Sequence, residues 1–90
     1  MSDYTKMIRS IINQMENVIG PVATTQAKRV EGLVINKKIS IKGKPQNAIK
    51  DLIERYKSLM GPVALTIAKK GAKPILEKNP KLKVPKELGG

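Results

Sequence analysis

Two stretches of the chain place apolar residues at every third or fourth position, as one face of an α-helix does. The first stretch follows Asp3, a residue suited to cap a helix N-terminus, and the second begins near Asn47. The pattern predicts two amphipathic helices of similar length. Their apolar positions are Met7, Ile8, Ile11, Ile12, Met15, Val18 and Ile19 in the first, and Ala48, Ile49, Leu52, Ile53, Tyr56, Leu59 and Met60 in the second.

Both predicted helices end at a Gly-Pro dipeptide, Gly20-Pro21 and Gly61-Pro62. Glycine suits the position just after a helix, and proline suits the first turn of the next one because its missing N–H has no helical partner there. Each corner leads into an alanine-rich helix whose small side chains allow a neighbouring helix to pack closely. We expect the second of these helices to end early, because Gly71 weakens it and Pro74 breaks it.

A shift of 41 positions aligns residues 7–35 with residues 48–76 without a gap, and both Gly-Pro corners coincide. We interpret this as an internal duplication. A unit of about 40 residues is too small to bury a sufficient core alone, so the two units are expected to share one. The predicted fold is all-α, with two helix–corner–helix units packed as a pseudo-two-fold four-helix domain.

The segments that join and follow the units are less regular. Residues 31–45 fit either a short β-hairpin turning at Asn36–Lys38 or an extended linker, and the sequence leaves both open. Residues 79–90 contain Pro80 and Pro85 and few apolar residues, so we predict a flexible basic tail. The predicted organisation is a single helical domain over residues 1–78 followed by that tail.

The positive charge of the chain is concentrated in two segments, one in each unit of the repeat. The chain has 18 basic and 7 acidic residues, for a net charge of +11. Residues 28–44 carry a net +5 and residues 69–86 a net +6, so the excess follows the corner in each unit. The candidate anion-binding residues are Lys28, Arg29, Lys37, Lys38, Lys42, Lys44, Lys69, Lys70, Lys73, Lys78, Lys81 and Lys83, with Lys86 continuing the second set.

This composition favours a nucleic-acid backbone as the partner. Lysine binds phosphate as a point charge, and three arginines are few for reading base edges. The chain has no Phe or Trp on which unpaired bases could stack. We therefore predict DNA or RNA binding with low sequence specificity. The alternative without a binding function is that the lysines only keep the protein soluble.

A second hypothesis is a protein–protein adaptor or assembly subunit, homo-oligomeric or with an acidic protein partner. Its apolar stripes and alanine strips would continue across the subunit contact, and its lysines would face the acidic partner. Binding to an anionic membrane is a weaker third hypothesis, because the core needs the amphipathic stripes.

Other functions are disfavoured by what the sequence lacks. Without His and Cys there are no usual general bases, thiol nucleophiles or zinc ligands, so we predict no enzyme activity, no metal and no cofactor. No apolar run reaches the ~20 residues of a membrane span, and the first residues lack a signal-peptide pattern. We therefore expect a cytoplasmic protein.

The motif I/M-G-P-V-A followed by an alanine-rich helix occurs at Val18–Lys28 and again at Leu59–Lys69. It resembles small helical modules of unknown function that are attached to prokaryotic signalling proteins. Those modules usually occur once beside another domain, whereas this chain carries the motif twice. The resemblance implies a helical interaction module and supports the adaptor hypothesis.

Overall fold

The structure, a computed structural model, describes residues 3–88. It is mostly helical and also contains a small antiparallel sheet, so the predicted all-α class needs that amendment. Asp3 belongs to the first helix rather than preceding it. The elements are α1 (Asp3–Ile19), α2 (Val22–Lys28), β1 (Leu33–Ile35), β2 (Ile39–Ile41), α3 (Pro45–Met60), α4 (Val63–Lys78) and a short 3-10 helix (Lys86–Leu88).

The two Gly-Pro corners have nearly the same backbone conformation. Gly20 and Gly61 adopt φ angles of +71° and +74°, a region that residues with a Cβ rarely enter. The Gly61 N–H still donates to the Lys57 carbonyl at 2.8 Å, closing the last turn of α3. Pro21 and Pro62 then follow in helical conformation, each with φ of −60°. Each corner therefore joins two helices through only two residues, as predicted.

The core combines bulky side chains from two helices with small ones from the other two. The largest fully buried side chains all belong to α1 and α3. The short α2 and the longer α4 bury small residues, which confirms the predicted alanine strips. Those residues are Ala23 and Ala27 of α2, and Ala64, Ala68, Gly71 and Ala72 of α4.

The prediction that the fourth helix ends early is wrong, because α4 runs through Gly71 and Pro74 to Lys78. Gly71 is a packing site: a Cβ there would lie 2.8 Å from the Ile11 Cα atom of α1. Pro74 lies on the exposed side of α4, where water can satisfy the helical carbonyl that proline leaves without a donor. Close packing against α1 thus explains Gly71, and exposure to water explains why Pro74 does not end the helix.

The helices pack in two antiparallel pairs. Asp3 accepts a 2.9 Å hydrogen bond from Asn79 Nδ2 just beyond α4, and Gly71 meets Ile11 eight residues further along α1. The same register makes Val63 level with Ile19, since both helices rise equally per residue. The end of α1 and the start of α4 therefore lie at the same end of the domain.

The shorter pair is α2 on α3. Tyr56 donates a 2.7 Å hydrogen bond to the Ala23 carbonyl, and Arg55 Nη2 donates to Gln26 Oε1 at 3.2 Å. Tyr56 and Ala23 lie within about one turn of the corners that follow α3 and precede α2. Both Gly-Pro corners consequently share one end of the domain.

Residues 33–41 form the hairpin rather than the extended linker. Leu33 pairs with Ile41 and Ile35 with Ile39, and the Lys42 N–H donates to the Gly32 carbonyl at 2.7 Å. Leu33 and Ile39 are buried, so one face of this small sheet completes the core beside α1.

The segment predicted to be a flexible tail follows a defined path as far as Leu88. Leu82 and Val84 pack against the core, and Leu88 is buried at the end of the 3-10 helix. This helix contacts α4 and forms a groove with it. Its apolar residues, although few, recur often enough to hold the segment on the domain. Residues 89 and 90 of the predicted tail lie outside the described residues.

Candidate nucleic-acid interface

The side chains that the sequence singles out as anion-binding are exposed without exception in the structure. They occur at the end of α2, in and after the hairpin, along α4 and in the segment after it. The twelve residues are Lys28, Arg29, Lys37, Lys38, Lys42, Lys44, Lys69, Lys70, Lys73, Lys78, Lys81 and Lys83.

The tip of the hairpin lies against the first half of α1. Arg9 Nη2 donates a 3.3 Å hydrogen bond to the Lys37 carbonyl, which ties the hairpin turn to the helix. Lys6 and Arg9 line a groove of about 230 Å³ whose far wall includes Ile39 of β2. The exposed lysines of the hairpin turn, Lys37 and Lys38, therefore lie beside two exposed cations of α1.

The last turns of α4 flank the other side of the same part of α1. Lys6 also lines a second groove, formed with Asp3 of α1 and with Pro74, Ile75 and Lys78 of α4. The Asp3 carboxylate in this groove accepts the hydrogen bond from Asn79. Two basic segments that are far apart in the sequence thus approach each other across the N-terminal half of α1.

We call Lys6, Arg9, Lys37, Lys38 and Lys78 the convergent basic surface. Sequence reasoning missed Lys6 and Arg9, because their charges were counted against acidic residues elsewhere in the chain. Their spacing of three positions within one amphipathic helix places them on one face, and this was the available signal. Which other segments would join that face could not be read from the spacing.

Three of the remaining candidate residues line other grooves. Arg29 shares a polar groove with Arg55 and with three acidic residues, Glu31, Asp51 and Glu54. Lys69 and Lys73 line the groove between α4 and the 3-10 helix, together with Leu76, Glu77, Pro80 and Leu88. The structure therefore does not bring all twelve residues together on one surface.

Neither tyrosine is placed to stack on a base. Tyr56 is fully buried and donates its hydroxyl proton to the Ala23 carbonyl. Burial raises the pKa of the Tyr56 phenol, and the negative charge of Glu16 raises it further. Tyr4 packs against the core and is partly buried. Any contact with nucleic acid at the convergent basic surface would accordingly rest on charge.

Among residues 3–88, no group of three or more Asp, Glu, His or Cys side chains is arranged to hold a metal ion. No helix of this region combines the length and apolar character needed to cross a membrane.

Comparison of the chain with family models, with curated proteins and with solved structures gives no match. The resemblance of the two Gly-Pro segments to helical signalling modules stays a prediction. Function is therefore inferred from the surface of the domain.

Proposed function

We propose that this is a small, non-catalytic cytoplasmic protein that binds the backbone of nucleic acids with low sequence specificity. The observation that carries the proposal is the approach of the hairpin tip and the end of α4 to the same half of α1. Five exposed cations surround this site, and its one described carboxylate, Asp3, is hydrogen-bonded to Asn79.

The composition of the surface suits phosphate better than bases. Four of its five cations are lysines, whose ammonium groups attract phosphate without a fixed orientation. Each phosphate neutralised on duplex DNA contributes about 0.9 to the slope of log affinity against log salt. With five cations, this surface predicts that log affinity falls with log salt with a slope of several units. It also predicts little preference among nucleic-acid sequences.

We also propose that the domain arose by duplication and has a pseudo-two-fold arrangement. The support comes from positions 41 residues apart, which have matching environments. Gly20 and Gly61 share a positive φ, Ala23 and Ala64 are both buried, and Val22 and Val63 are both about half exposed. The convergent basic surface follows this symmetry only in part, because Lys50 of the second unit matches Arg9 but Asn47 stands at the position that matches Lys6.

Fluorescence anisotropy tests the proposed binding. Labelled duplex DNA, single-stranded DNA and RNA would each be titrated with the protein across a salt series. We expect binding that persists near physiological salt and a steep negative salt slope. Lys38→Glu should weaken binding several-fold more than Lys50→Glu, an equal change of charge at an exposed position of α3.

Two results would contradict the proposal. Equal weakening by the two variants would mean that net charge alone drives binding and that the convergent surface has no special role. Absence of binding even at low salt would exclude nucleic acid altogether. Poly-L-glutamate titrated under the same conditions would then show whether an acidic protein is the better class of partner.

A further inference from the structure

The large apolar side chains that the described residues expose all flank the two Gly-Pro corners. Val18 and Val22 are 58% and 47% exposed at the first corner, and Leu59 and Val63 are 51% and 52% exposed at the second. Scattered exposed apolar residues are ordinary, but a cluster of them commonly marks an interaction site. We call the surface formed by these four residues the Gly-Pro end.

The four residues share one end of the domain. The antiparallel packing of α1 on α4 brings Ile19, next to Val18, level with Val63. Leu59 lines a shallow groove with Gln26 of α2, which places the end of α3 beside the helix that follows the first corner. The Gly-Pro end therefore gathers exposed apolar side chains of both units at one end of the domain.

The segments that form this end carry little net charge, although Arg55 lines the groove with Leu59, and Lys28 and Lys69 each follow a corner valine by six residues. Residues 10–27 contain Glu16 as their one charged side chain, and residues 56–68 contain Lys57. These segments sum to zero, so the net charge of +11 lies elsewhere. Lys6 and Lys78 are 13 and 15 residues along their helices from Ile19 and Val63, which corresponds to about 20 Å.

The charge distribution selects among the classes of partner. An acidic protein or an anionic membrane would be attracted most strongly to the convergent basic surface, which lies about 20 Å from the Gly-Pro end. A second copy of this chain is repelled by the basic surfaces instead. Two strongly positive molecules repel each other least where both surfaces carry little net charge. The exposed apolar residues thus lie where the electrostatic repulsion between two copies is smallest.

We propose that two copies of the chain associate through their Gly-Pro ends. The repeat places corresponding apolar residues of both units on this surface, because Val18 and Val22 of one unit match Leu59 and Val63 of the other. A two-fold dimer brings the same patch of both partners into contact. Four half-exposed side chains make a small contact, below the ~1,200 Å² of a standard interface, so the dimer dissociates on dilution. The convergent basic surfaces then face outward.

Sedimentation equilibrium of the full chain across a salt series tests this proposal without relying on nucleic acid. We expect association to strengthen as salt rises, because salt screens the repulsion between the copies and leaves the apolar contact intact. Leu59→Glu should weaken association by about tenfold or more, since it introduces a charge into the contact. Asn47→Glu makes the same change of charge at the far end of α3 and should leave association unchanged.

Val63→Ser provides a milder second variant if Leu59→Glu proves unstable by circular dichroism, and it should also weaken association. A protein that stays monomeric at every salt and millimolar-range concentration would overturn the proposal. Equal effects of Leu59→Glu and Asn47→Glu would overturn it as well.

Binding of the monomer to phosphatidylcholine–phosphatidylserine vesicles, lost in Leu59→Glu, would assign the surface to lipid instead. DNA affinity measured on Leu59→Glu should remain within about twofold, which separates this test from that of nucleic-acid binding.

Discussion

Gly71 of α4 lies so close to Ile11 of α1 that an added Cβ would be 2.8 Å from the Ile11 Cα atom. The same Cβ would lie 3.0 Å from the backbone nitrogen of Ile11 and from the Ser10 carbonyl oxygen. All three neighbours are backbone atoms of a helix, so none can move aside as a side chain would. The contact fixes the distance between α1 and α4, the pair that also frames the convergent basic surface.

Gly71→Ala is therefore expected to destabilise the protein although alanine is the better helix former. At an unhindered helical position the change would add about 1 kcal/mol of stability. Here forced separation of the helices should cost about 1–3 kcal/mol, as overpacking of a tight core does. Urea unfolding measures the difference, with Thr66→Ala at an exposed position of α4 as the control. A more stable Gly71→Ala protein would contradict the close contact.

Alanine at either corner glycine should be costly for a different reason. Nothing lies within 4 Å of a Cβ added at Gly20 or Gly61, so neither substitution causes a clash. Both residues have positive φ, and Gly61, with ψ of −160°, lies in a region that is nearly restricted to glycine, so alanine should cost about 1–3 kcal/mol. Urea unfolding of Gly20→Ala and Gly61→Ala should give similar losses, as duplicated corners require. A loss at one corner alone would argue that the two corners are not equivalent.

Tyr56 should make stability depend on pH in the alkaline range. Its pKa is raised above the ordinary value of 10.0 by burial and by Glu16, so the folded state retains the phenol proton longer than the unfolded state. This contribution is complete below about pH 10 and is lost as the pH rises toward the raised pKa. Tyr56→Phe should remove that pH dependence.

The same substitution removes the hydrogen bond from Tyr56 to the Ala23 carbonyl, at a cost of about 0.5–1.5 kcal/mol near neutral pH. Urea unfolding of both proteins between about pH 8 and pH 11 gives the two effects separately, because lysine titration is common to both and cancels in the difference. The gap between wild type and Tyr56→Phe should narrow as the pH rises. A gap that stays constant would mean that Tyr56 ionises as easily in the folded protein as in the unfolded one.

The periodicity of apolar residues was sufficient to predict α1, α3 and the two corners, because these depend on local spacing and on glycine and proline chemistry. The extent of α4 was not predictable in the same way. Gly71 and Pro74 are helix breakers by local rules, and only the neighbouring α1 backbone explains why the first must be glycine. The hairpin could be recognised as one of two alternatives, and burial of Leu33 and Ile39 decides between them.

The basic residues illustrate the same limit for the candidate site. Counting charges along the chain located two lysine-rich segments and suggested separate patches. Which lysines become neighbours depends on the antiparallel packing of α4 on α1 and on the hairpin contact between Arg9 and Lys37. These are long-range contacts that residue spacing does not encode, so Lys6 was overlooked and Arg29 was included although it lines a groove that also contains acidic residues.

Lys6 therefore gives the sharpest test of the convergent basic surface. Two separate patches would make Lys28, at the end of α2, as important for nucleic-acid binding as any other lysine, and would give Lys6 no role. The convergent surface predicts that Lys6→Glu weakens binding several-fold more than Lys28→Glu, because Lys6 lines both grooves between the basic segments. Both positions are exposed and the change in charge is the same. Anisotropy titrations with one duplex at fixed salt compare them, and a larger effect at Lys28 would favour separate patches.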